Sequence, residues 1–112
     1  MGHLTTHVLD TSIGKPASNI HVLLEFNSNG NWEKVTTGIT NHDGRIPNFL
    51  PDDNLLEKGV YRITFETDNY FNERGVTGFY PYVSIVFKIE SEEHYHVPLL
   101  LNPYGYSTYR GS

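Results

Sequence analysis

The chain has 112 residues, 38% of them hydrophobic and 19% charged, with a net charge of −5 and no cysteine. That length suits one domain, residues 1–112, built around a single core. The acidic balance gives no footprint for nucleic acid or an anionic membrane, and the missing cysteines exclude disulfides, thiolate metal sites and a cysteine nucleophile. No stretch approaches the roughly 20 apolar residues of a membrane span, and no basic segment followed by a long apolar run opens the sequence, so a cytoplasmic protein is expected.

Taken in chain order, period-2 alternation predicts strands over 4–10 ("LTTHVLD"), 21–27, 32–40, a short one over 46–49 ("IPNF"), then 59–67, 83–89, 94–101 ("HYHVPLLL") and 105–110 ("GYSTYR"). Turn residues punctuate them in "SIGKPASN", "NSNGN", "NHDG" and "PDDN". The one helix predicted is "DNYFNERG" (68–75), after the fifth strand, with Asp68 as its cap and Gly75 as its stop. Eight strands in so short a chain mean an all-β sandwich or barrel.

Three histidines interrupt strands where apolar residues or threonine would be expected. Alternation places His7 with Thr5 and Leu9 on one face of the first strand, and His94 and His96 with Pro98 and Leu100 on one face of the seventh. Tyr95, Val97 and Leu99, on the opposite face, suit a core better, so the histidines look outward. Their apolar companions give that outward surface the character of a partner surface or partly dry pocket, where an imidazole can move protons near neutral pH. Two imidazoles at i and i+2 can also chelate one ion, with His7 or a carboxylate as third ligand, but no second ligand pair stands at a characteristic spacing. His21, at a strand start, and His42, in a turn, read as solvated. Arg45 directly follows the "NHDG" turn, where a guanidinium can clamp a carboxylate, imide or urate-like oxyanion. There is no G-x-S-x-G nucleophile elbow and no Gly-rich phosphate loop.

The blocks "LTTHVLDTSIGKPA", "NHDGR", "FYPYVSIVF" and "HYHVPLLLNPYGYSTYRGS" occur in one order along nearly the whole chain. Together they resemble the hydroxyisourate-hydrolase branch of the transthyretin-like family. Its transthyretin branch shares the fold, carries thyroid hormone and lacks the "YRGS" ending. The resemblance implies a sandwich of two four-stranded sheets, ordered D-A-G-H and C-B-E-F, with a short helix after the fifth strand. It further implies a homotetramer, a dimer of dimers whose outward D-A-G-H faces line a central channel. Hydrolysis of 5-hydroxyisourate to 2-oxo-4-hydroxy-4-carboxy-5-ureidoimidazoline, without metal or cofactor, is the implied activity. The family's catalytic positions fall on His7, Arg45 and His96, and its substrate-binding end on Tyr109, Arg110, Gly111 and Ser112. Asn102, where the family commonly has serine, is the one departure noted. A carrier that holds a small aromatic ligand in the same channel is the rival reading.

Overall fold

The computed structural model describes residues 4–50 and 56–111. Eight strands and one helix follow one another as β1 (Leu4–Asp10), β2 (Lys15–Pro16), β3 (His21–Ser28), β4 (Asn31–Ile39), β5 (Gly59–Phe65), α1 (Thr67–Glu73), β6 (Val83–Ile89), β7 (Tyr95–Asn102) and β8 (Gly105–Thr108). They form two four-stranded sheets, ordered β2-β1-β7-β8 and β4-β3-β5-β6. Strands β1 and β7 run parallel, with Leu4 beside Tyr95 and Asp10 beside Leu101; the other pairings are antiparallel.

The inner faces meet in one core. Strand β1 contributes Leu4 and Val8, β3 Val22 and Leu24, β5 Tyr61, Ile63 and Phe65, and β7 Tyr95, Val97, Leu99 and Leu101, all buried. Each large side chain removed from water in this way contributes about 1.5–3 kcal/mol. Helix α1 closes one end through Tyr70 and Phe71.

Local chemistry explains the elements. Asn29 and Gly30, both with positive φ, make the two-residue turn that joins β3 to β4, and Asn27 Oδ1 accepts from Gly30 N at 2.8 Å. Backbones of that hand match the twist of a hairpin, and asparagine followed by glycine adopts them most easily. Helix α1 ends at a left-handed Gly75, with Gly75 N donating to Asn72 O and Val76 N to Phe71 O. These are the two bonds of a Schellman stop. Its start differs from the expectation: Glu66 occupies the capping position with no side-chain bond, and Asp68 lies in the first turn. There its carboxylate favours the helix dipole without capping it.

The strand expected over 46–49 does not form. Pro47 has no N–H to donate, Asn48 is left-handed (φ 56°), and Thr36 Oγ1 takes the Phe49 carbonyl at 2.9 Å. The segment packs onto β4 instead, with Ile46 seated where a side chain at Gly38 would stand. The outer edge of β1 is therefore shared by β2, which pairs with Leu9 and Asp10, and by a single bridge from Arg45 to His7. The "PDDN" turn lies outside the described residues.

Candidate active site

The sheet register alone assembles the site. One row across the sheet runs Arg45, His7, Pro98; the next runs Thr5, His96, Gly111. Residues in one cross-strand row point to the same face. His7 and His96, each on the outward face as alternation had suggested, are thus diagonal neighbours there, and Arg45 stands beside His7.

Each of the two imidazoles lies over a glycine. A Cβ built on Gly111 would stand 2.4 Å from His96 Cδ2, and one on Gly44 would stand 3.3 Å from His7 Cδ2 and 2.3 Å from the Val8 carbonyl. Gly44 is left-handed (φ 73°), which any other residue would adopt at a cost. Its turn is closed by Asn41, whose Oδ1 accepts from Asp43 N at 2.9 Å and Arg45 N at 3.1 Å. Gly44 O in turn accepts from Val8 N at 2.9 Å, tying the turn to β1 and delivering Arg45 beside His7.

Pro98 shapes the other side. Val97 and Leu101 turn their carbonyls to the β1 side, accepting from Thr6 Oγ1 and Thr11 N, whereas His96 turns its carbonyl to the β8 side and accepts from Gly111 N at 2.8 Å. Pro98, two residues on from His96, would therefore aim its N–H at the β8 side, and it has none. The ladder ends at Thr108, whose hydroxyl donates to Pro98 O at 2.7 Å, and resumes in the same register at Gly111. Tyr109 and Arg110 leave the ladder in between, which is why β8 stops two residues short of the expected 110.

The sequence-predicted residues sort as follows. The structure brings His7, Arg45 and His96 to one face, with Gly111 under the His96 ring and Tyr109 exposed beside the break in the ladder. It does not bring the Arg110 guanidinium to them. That group pairs with the Glu93 carboxylate and lies 4.4 Å from the centre of the Tyr95 ring, on the opposite face of β7 from His96. Ser112 lies outside the described residues. His21 and His42 are exposed, as expected.

Burial, and then the charges of Arg45, His94 and His7, hold the His96 pKa below the ordinary imidazole value. Thr5, which the sequence reading placed on the face without a role, bonds both outward histidines of β7: its Oγ1 lies 2.8 Å from His96 Nδ1 and 2.9 Å from His94 Nε2. The two rings therefore turn toward this one hydroxyl. Among the described residues, no group of three His, Asp or Glu side chains gathers to hold a metal. The signal that could have found Thr5 was its place opposite His96 in a parallel β1–β7 pairing, and strand order cannot be read from one chain's alternation.

A cleft of about 630 Å³ opens on the flank between β6 and the end of the chain, sharing only His96, Tyr109 and Arg110 with this cluster. The remaining members, His7, Arg45 and Thr5, stand on the open outer face of the sheet.

Residues 4–111 match the model of the HIUase/Transthyretin family. A 5-hydroxyisourate hydrolase of Halalkalibacterium halodurans is 46% identical over 117 residues, covering 99% of this chain and 98% of that protein. The structure of Klebsiella pneumoniae 5-hydroxyisourate hydrolase superimposes with a TM-score of 0.87 at 38% identity, covering 100% of this chain and 94% of the other. Transthyretin from Sparus aurata superimposes with a TM-score of 0.90 at 32% identity, covering 96% and 95%.

Proposed function

The chain belongs to the HIUase/transthyretin family, and from that premise we propose that it is a cytoplasmic 5-hydroxyisourate hydrolase acting through His7, Arg45 and His96. Fold likeness cannot separate enzyme from carrier, since both branches superimpose closely. The observation that carries the enzyme reading is the row of Arg45 and His7 beside His96, its imidazole seated on Gly111 of the terminal "YRGS". A channel that only holds an aromatic ligand has no use for two imidazoles and a guanidinium in register.

In this reading His96, kept neutral by its depressed pKa, takes a proton from the water that attacks the C6 lactam carbonyl. His7 serves the same proton traffic by delivering a proton to the departing ring nitrogen. Breaking the C–N bond and forming the C–O bond leaves a carboxylate, with one proton released to solvent. Arg45 orients the flat ring and offsets charge on the carbonyl oxygen as the tetrahedral intermediate forms. Tyr109 walls the site, Arg110 contributes by anchoring the terminal segment to Glu93 and Tyr95, and Gly111 and Ser112 complete it.

A homotetramer, a dimer of dimers, is part of the proposal. The catalytic face is open in a single chain, and β6 and β8 each have one neighbour and flank the same cleft. Unpaired edges of this kind invite a second copy. Light scattering on the eluting protein should give four times the 12.8 kDa chain mass; a monomer would overturn the assembly.

The decisive assay generates 5-hydroxyisourate from urate with urate oxidase, adds this protein and follows the absorbance decay. Acceleration over the spontaneous rate is expected. Its absence would leave the carrier reading in front.

A further inference from the structure

The roles proposed above leave out the hydroxyl that joins two histidines. Thr5 Oγ1 stands 2.8 Å from His96 Nδ1 and 2.9 Å from His94 Nε2, and Thr5 is the cross-strand partner of His96 in the parallel pairing. A hydroxyl has one proton and two lone pairs, so the two ring nitrogens cannot both accept from it. Three arrangements remain. His96 Nδ1–H donates to Thr5 while Thr5 donates to His94; both rings donate to Thr5; or His94 donates to Thr5 while Thr5 donates to His96 Nδ1. The second leaves the hydroxyl proton without an acceptor among the described residues. The third needs the His94 proton on Nε2 and moves the His96 proton to Nε2, where it blocks that nitrogen. Only the first both uses the hydroxyl proton and leaves His96 Nε2 bare.

We propose that Thr5 is a positioning residue: its hydroxyl holds His96 in the Nδ1–H tautomer, leaving Nε2 as the basic nitrogen toward the substrate, with His94 the acceptor that sets the direction of the chain. This rests on the hydrolase reading of the site. It also gives the "HYH" spacing a purpose other than chelation, because residues i and i+2 on β7 reach one hydroxyl on β1 from the same face. Base catalysis depends on which ring nitrogen carries the proton, and a neighbour's hydrogen bond decides that.

Two-bond ¹H–¹⁵N correlation spectra report the tautomer of each imidazole. In the wild-type protein at neutral pH, His96 should carry its proton on Nδ1; a proton fixed on Nε2 overturns the proposal without any variant. In Thr5→Val the His96 signals should shift toward the Nε2–H form, with kcat falling about 10- to 100-fold and KM within about threefold of wild type. Thr5→Ser, which keeps the hydroxyl, should restore both the tautomer and kcat. Unchanged spectra and kcat in Thr5→Val, or no rescue by serine, would refute the role. Wild-type protein inactive on 5-hydroxyisourate would overturn the hydrolase reading instead, and its spectrum would still decide the Thr5 bond.

Discussion

At Gly111 the absence of a side chain has a direct steric meaning, because an added Cβ would stand 2.4 Å from His96 Cδ2. Gly111→Ala must therefore tilt the imidazole or push the terminal segment away. Since a misplacement of about 1 Å can cost about 100-fold in rate, kcat should fall by roughly that factor while the thermal midpoint moves little; steady-state kinetics beside a melting curve checks both. Arg45 makes a different prediction. Its charge is the second cause, after burial, of the depressed His96 pKa. In the proposed mechanism His96 acts as a neutral base, so activity is lost as pH falls through its pKa, which lies below the ordinary imidazole value. Arg45→Met should raise that pKa and move the acid limb of kcat/KM to higher pH, alongside a loss of about 100- to 1000-fold in kcat from the missing oxyanion partner. An NMR titration of His96 follows the shift directly. His7, His94, His96 and Arg45 were legible as residues because histidine and arginine are conspicuous in strands and turns of this kind, while the preference for His96 over His94 came from the family resemblance. Thr5, Asn41 and Gly44 were not, since a threonine in a strand and an asparagine or glycine in a turn look ordinary until the partner each one touches is known.

At the level of elements, period-2 alternation found seven of the strands, most plainly β1 and β5, whose side chains alternate between core and outer face, and the Gly75 stop marked the helix. It misread 46–49, where "IPNF" has the apolar content of a strand but a proline, a left-handed asparagine and a captured carbonyl prevent pairing. It also extended β8 through 110, because the break comes from Pro98 on a neighbouring strand and no local pattern carries it. What binds helix to sheet was likewise invisible. Asp10, 1% exposed at the end of β1, accepts from Ser12 N and Oγ through Oδ1 and from the Tyr70 hydroxyl through Oδ2 at 2.7 Å. Removing the hydroxyl leaves a buried carboxylate oxygen unmatched, so Tyr70→Phe should destabilise the fold by about 1–3 kcal/mol, measured by urea unfolding. The proposed active site lies on the other face of β1, so the hydrolase rate at temperatures well below the melt should be nearly unchanged.

For the whole molecule the tyrosines make a prediction about alkaline pH. Tyr61 is buried in the core and donates to the Glu57 carbonyl at 2.7 Å; burial, and then the Glu57 charge, push its pKa up to about 12. Tyr70 is pushed higher still by burial and by the Asp10 carboxylate it donates to. Tyr95 moves the opposite way, because its oxygen accepts hydrogen bonds from Ser91 and Glu90, and Arg110 lies beside it. A tyrosine whose folded pKa is raised contributes stability that is complete below pH 10 and is lost as pH climbs toward the folded value, since the unfolded chain ionises first. Each such group weighs about 1.4 kcal/mol per pH unit in that window. Tyr95 acts in the window below, adding stability as pH rises toward 10, because the folded chain ionises there first. Unfolding free energy should therefore rise as pH approaches 10, through Tyr95, and then fall steeply between pH 10 and about 12, through Tyr61 and Tyr70. Tyr70→Phe supplies the internal control, because it removes one of the two groups that oppose Tyr95. Urea midpoints measured across this range should decline less steeply in the variant than in the wild type; an equally steep decline would mean that the Tyr70 hydroxyl is not held protonated by the fold.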